Sequence, residues 1–115
     1  FNSHKLRADQ LDKVSVLAAA FADDINAGKL YAIVGHTDGK GSDTYNCKLS
    51  AKRAATITSA LLVGGSKAYL QPIGVGEVLL KDAANPANAQ NRRVSFLKLD
   101  DNAETVINAF KALCD

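Results

Sequence analysis

Twice along this chain a stretch of helical periodicity stops at a glycine and a short apolar run follows within a few residues. No other feature constrains the fold as much. Residues 8–27 place Leu11, Val14, Leu17, Ala18, Phe21 and Ile25 at steps of three and four, the signature of an amphipathic helix, with Gly28 as its stop. Leu30 to Gly35 (LYAIVG) then reads as a buried strand. A second helix is expected from Thr44 to Val63, ended by Gly64-Gly65, and a second strand from Tyr69 to Gly76 (YLQPIGVG). Pro72 in that strand suits an edge or a bulge, because proline has no N–H to give to a central ladder. Arg92 to Leu99 (RRVSFLKL) reads as a third strand, followed by a helix through Val106, Ile107, Phe110 and Leu113 that Asp101 or Asn102 can cap. Phe1-Asn2-Ser3 has the look of the end of a further strand. Helices alternating with strands imply a two-layer α/β sandwich.

The 115 residues suit one domain and leave little room for a second. Apolar residues make up 47% and charged residues 23%, which excludes a disordered tail, a collagen-like rod and a low-complexity linker. The longest apolar run, Val14 to Ala22, is broken by Ser15 and closed by Asp23 and Asp24, so no segment reads as a membrane span. Fourteen basic against twelve acidic residues give a net charge of only +2, with none of the gathered excess of a dedicated nucleic-acid binder. With no methionine and no signal-peptide pattern, the chain reads as an excerpt or a mature form. Cys47 and Cys114 lack the spacing of a zinc or redox motif. Paired, they would close a loop worth roughly 4 kcal/mol of chain entropy; two free thiols fit the sequence equally well.

The second helix carries an anomaly. Its apolar face, set by Leu49, Ala54, Ile57, Ala60 and Leu61, has Asn46, Ser50 and Arg53 in its midst, while Lys48, Lys52, Ala55 and Ser59 lie opposite. An inward arginine cannot shed its charge and needs an anionic partner or several acceptors. The glycine-rich loop Gly35-His-Thr-Asp-Gly-Lys-Gly-Ser-Asp43 that feeds this helix supplies Asp38. One reading is a structural Arg53–Asp38 ion pair stapling loop to helix. The other is a two-signed site for a zwitterion, with a carboxylate on Arg53 and an ammonium on Asp38. The helix N-terminus, Asn46 and Thr37 would then add neutral hydrogen bonds.

Four motifs follow one another at compatible spacing: Gly35-His36-Thr37-Asp38, then Gly41-Ser42 with Tyr45-Asn46 and Leu49-Ser50-x-x-Arg53-Ala54, then Gly74-x-Gly76-Glu77, and last Asn91-Arg92-Arg93-Val94. Together they closely resemble the OmpA-like domain, whose relatives include peptidoglycan-associated lipoproteins and flagellar stator proteins, over roughly residues 1–99. The resemblance implies a mixed sheet with helices on one face, a βαβαβ core over residues 1–99, and a C-terminal helix over 100–115 as an extension of the same domain. It also implies a periplasmic, non-enzymatic module without a cofactor. Such a module holds the diaminopimelate stem peptide of peptidoglycan non-covalently and so anchors the outer membrane or an envelope complex to the cell wall.

In the family the diaminopimelate residue is held by the aspartate and arginine that correspond to Asp38 and Arg53. Thr37, Asn46 and an arginine of the last motif line the pocket. Adjacent strand residues point to opposite faces, so of Arg92 and Arg93 one is expected to face the site, and Arg93 is favoured. Asn2 stands where the family often has an acidic residue, which weakens a second contact to the ligand amine. Leu79-Leu80 stands where a proline is common.

Other readings carry less. His4 and His36 lack the clustered carboxylate or thiolate of a metal site. Ser42, His36 and Asp38 or Asp43 can be assembled into a triad on paper, without a nucleophile elbow around them. The loop lacks phosphate-loop spacing, and Asp38 would repel phosphate. The alternative from another class is an anionic-ligand or nucleic-acid module using Lys48, Lys52, Arg53, Arg92 and Arg93.

Overall fold

The computed structural model describes residues 8–39, 41–77 and 93–114. Helix α1 spans Ala8–Ala22, strand β1 Leu30–Gly35, helix α2 Asp43–Val63, strand β2 Tyr69–Gly74, strand β3 Val94–Leu99 and helix α3 Ala103–Ala112. The sheet runs β2-β1-β3, with β1 parallel to β2 and antiparallel to β3. It is the expected mixed α/β architecture. Among the described strands β2 is at the edge, and Pro72 lies on it, where its missing N–H costs no bond to β1. The segment Phe1-Asn2-Ser3, Leu79-Leu80 and Asn91-Arg92 lie outside the described residues.

Alternation along β1 divides the core. Ile33, with Tyr31 beside it, faces Val14, Phe21, Ala54, Ile57 and Leu61 of α1 and α2. Ala32 and Val34 face the other way, with Ile73, Val75 and Leu99, and α3 covers them through Ala103, Val106, Ile107 and Phe110. The two-layer sandwich therefore describes α1 and α2 on the sheet, and α3 adds a layer on the opposite face.

Three boundaries differ by two residues or more from the sequence reading. The first helix ends at Ala22, because Asp23 turns extended and caps a short 3-10 turn, Asp24–Asn26, by accepting from the Ile25 N–H at 3.0 Å. Ile25, expected on the apolar stripe, is left 71% exposed. The second strand stops at Gly74 and the third begins at Val94. Asn102 does occupy the cap position of α3, but its backbone is not in the extended region a side-chain cap uses and it makes no capping bond.

Cys47 and Cys114 form a disulfide, which settles the pairing left open by spacing. It joins the first turns of α2 to the chain just past the end of α3. That matters because α3 has no fully buried residue and no side-chain cap of its own. Reduction, or the pair Cys47→Ser with Cys114→Ser, is expected to cost about 4 kcal/mol by the loop-closure estimate. The loss should appear first as fast hydrogen exchange in α3 while β1 and α2 stay protected.

Candidate functional site

The site assembles where the parallel strands β1 and β2 end and α2 begins. Ser42 caps α2, accepting from the Tyr45 N–H at 3.2 Å. The N-terminal half of α2 then lies directly on the sheet, because Gly35 and Gly74 are paired in register and open a notch there. A Cβ on Gly35 would stand 2.0 Å from the Ser50 carbonyl oxygen, and one on Gly74 2.4 Å from the Ala51 nitrogen. Close approach places Ser50 as a bolt: its hydroxyl donates to the Cys47 carbonyl at 2.9 Å and accepts the Gly76 N–H at 2.9 Å.

The loop after β1 is fixed from both sides. The His36 N–H donates to the Arg93 carbonyl at 2.8 Å, and the Thr37 N–H donates to the Gly76 carbonyl at 2.9 Å. The His36 ring shares a hydrogen bond with the Ser95 hydroxyl at 3.0 Å. One guanidinium nitrogen of Arg53 donates to the His36 carbonyl at 3.4 Å, two residues from Asp38. Thr37, Asp38 and Asn46 are each no more than 2% exposed. The Thr37 hydroxyl has no hydrogen-bond partner among the described residues.

Of the residues singled out from sequence, Thr37, Asp38, Asn46, Arg53 and Arg93 come to this one end of the sheet. Arg92 and Asn2 lie outside the described residues. Arg53 is half-buried, not fully inward, since its guanidinium reaches past the helix to the loop carbonyl. Burial pushes the Arg93 guanidinium down from its usual range. Asp38 is almost fully buried, a low-dielectric setting in which electrostatic interactions are strong.

Sequence reasoning quoted Glu77 in a motif but did not place it in the site. The structure does: its carboxylate accepts from the Asn46 side-chain amide at 3.4 Å. A hydrogen bond with Asp43, then partial burial, push this carboxyl above the usual carboxylate range; the Asn46 amide opposes them, and the charges of Asp43 and Asp38 add to the rise. The signal in the sequence is its place as the last residue of the Gly74-x-Gly76-Glu77 motif, directly after the glycine predicted to end a strand. Among the described residues no three His, Cys, Asp or Glu side chains come together to hold a metal ion, and no helix is long and apolar enough to cross a membrane.

A mixed sheet of this topology, with a buried Asp and Asn and a half-buried Arg at the loop-helix junction, defines an α/β domain with a polar, charged cluster at one end of its sheet. The OmpA family pattern matches residues 1–93, and the chain belongs to the OmpA family. The lipoprotein YfiB of Escherichia coli strain K12 is similar, with 32% identity over 101 residues, 84% of this chain and 61% of that protein. So is the peptidoglycan-associated lipoprotein of Legionella pneumophila, 33% identical over 101 residues, 72% of this chain and 54% of that one. The chain thus spans little more than half the length of these curated relatives. Among solved structures, the peptidoglycan-associated lipoprotein from Burkholderia pseudomallei superposes with a TM-score of 0.65 at 26% identity, covering 86% of this chain and 85% of that one.

Proposed function

We propose that this chain is a non-enzymatic, periplasmic module that binds the diaminopimelate-containing stem peptide of peptidoglycan and anchors an envelope protein to the cell wall. The observation that carries this reading is the two-signed geometry around one short loop. Arg53 reaches the His36 carbonyl, while the buried Asp38 follows two residues later. Diaminopimelate bears an ammonium and a carboxylate at each end, and this site offers a carboxylate for the one and a guanidinium for the other. Thr37 and Asn46 stand beside them with neutral groups, and the N-terminal turn of α2 adds its positive dipole end near the ligand carboxylate. Membership in the OmpA family and similarity to two proteins named for their association with peptidoglycan support the same ligand. The periplasm follows as the compartment in which such a ligand is met. Buried Asp38 with Glu77 nearby opposes a phosphate at this point, which disfavours the nucleic-acid alternative.

Calorimetric titration with free meso-diaminopimelate, and with stem peptides carrying either meso-diaminopimelate or lysine at the third position, tests the reading. The diaminopimelate peptide should bind and the lysine peptide should not, because within a peptide the lysine side chain keeps an ammonium but has no carboxylate for Arg53. Pelleting with purified peptidoglycan should follow the same preference, with free diaminopimelate as competitor. A protein that neither binds diaminopimelate nor pellets with the polymer overturns the proposal.

A further inference from the structure

The turn after β2 is held as firmly as the loop that carries Asp38. The Gly76 N–H is bound by Ser50 of α2, and the Gly76 carbonyl is bound by the Thr37 N–H. Two bonds to two elements leave the next residue, Glu77, little freedom in where its side chain begins. The side chain ends against Asn46, whose amide it accepts, and beside Asp43 in the first turn of α2. Glu77 thus stands at the same end of the sheet as the β1 loop, against Asn46, and it is only partly buried.

The Asp43 carboxylate disfavours ionisation of Glu77, because like charges at close range repel. Asp38, from the loop after β1, adds a third negative charge that bears on Glu77. An entering cation relieves this crowding. An ammonium has three N–H donors and needs three acceptors. Asp38 offers one and the Thr37 hydroxyl, buried without a partner among the described residues, offers a second. Glu77 is the acceptor on the open side.

Resting on the diaminopimelate reading above, we propose that Glu77 is a ligand-contacting residue that sets specificity for a charged amine: its carboxylate takes the ligand ammonium together with Asp38 and the Thr37 hydroxyl. Because contact with Asp43 and partial burial hold the Glu77 carboxyl above the usual range, an ammonium bound there favours its ionised form, so binding releases protons and affinity rises with pH. The charged groups that bear on it are Asp43 and Asp38; Asn46 is neutral, and Cys47 is held in the disulfide and does not titrate. A carboxyl whose folded pKa is raised stabilises the fold below its unfolded value and loses that stabilisation as pH rises through the folded one. Glutamine imitates the protonated form, so Glu77→Gln should keep the fold at neutral pH.

The experiment is calorimetry with meso-diaminopimelate across the acidic range to neutrality, repeated in buffers of different ionisation enthalpy. Wild type should release protons on binding and bind more tightly toward neutral pH. Glu77→Gln should bind about tenfold more weakly at neutral pH and show neither proton release nor the rise with pH. A variant that matches wild type in affinity and proton release overturns the role of Glu77 while leaving the ligand assignment intact. Failure of wild type itself to bind diaminopimelate, with peptidoglycan pelleting also lost, overturns both.

Discussion

Gly35→Ala is expected to lose about 3 kcal/mol or more of stability, as overpacking against rigid backbone does, with a fall in Tm of roughly 10 °C or more for a domain of this size. The new methyl would meet the Ser50 carbonyl oxygen at 2.0 Å and the carbonyl carbon at 2.9 Å, both backbone atoms of α2. A flexible side chain could swing aside; a helix backbone cannot. Relief requires α2 to lift from β1, which also withdraws Ser50 from Gly76 and Asn46 from Glu77. Stability and ligand binding should therefore fall together in this variant. Thermal unfolding followed by circular dichroism, with pelleting on peptidoglycan as the second readout, checks it. Unchanged Tm would mean that α2 does not approach the sheet as closely as described.

Asp38→Asn is expected to do the reverse, sparing the fold and removing the function. Asparagine keeps the size of the side chain and an acceptor oxygen while deleting the charge. The ligand ammonium then loses its buried counter-charge, a loss of about 3 kcal/mol, or roughly a hundredfold in affinity. Asp38→Ala should abolish pelleting with purified peptidoglycan as well, and the asparagine variant guards against a loss caused by the cavity alone. Far-UV circular dichroism and Tm near wild type, together with lost binding, is the expected pattern. Retained binding in both variants would remove Asp38 from the ligand site and leave it a structural group of the loop.

Much of this was legible in the linear chain because it rests on local periodicity. The strand Leu30–Gly35 lies where its apolar run and the preceding glycine put it, and α2 begins one residue before the expected start. The face of α2 carrying Asn46, Leu49, Ser50, Ala54, Ile57 and Leu61 is buried, as three- and four-residue spacing requires. Errors fell where a single side chain competes with periodicity. Asp23 could be read as a polar residue inside a helix or as a cap, and only its backbone conformation decides. Asn102 was read as a cap on chemistry alone, and its dihedral angles deny it the bond.

What the sequence determined by itself was the set of elements, their order, and the residue types that belong to one family. Each depends on neighbours a few positions apart, so each is written in short-range pattern. What only the tertiary structure decided was what meets across long separations. Thr37 meets Gly76, Asn46 meets Glu77, and Cys47 meets Cys114. Which face of the sheet α3 would cover was likewise undetermined, since its apolar stripe suits either. Glu77 entered the site for the same reason: its motif marks the turn but not what the turn meets, and only the parallel pairing of β2 with β1 carries it against the loop that holds Asp38.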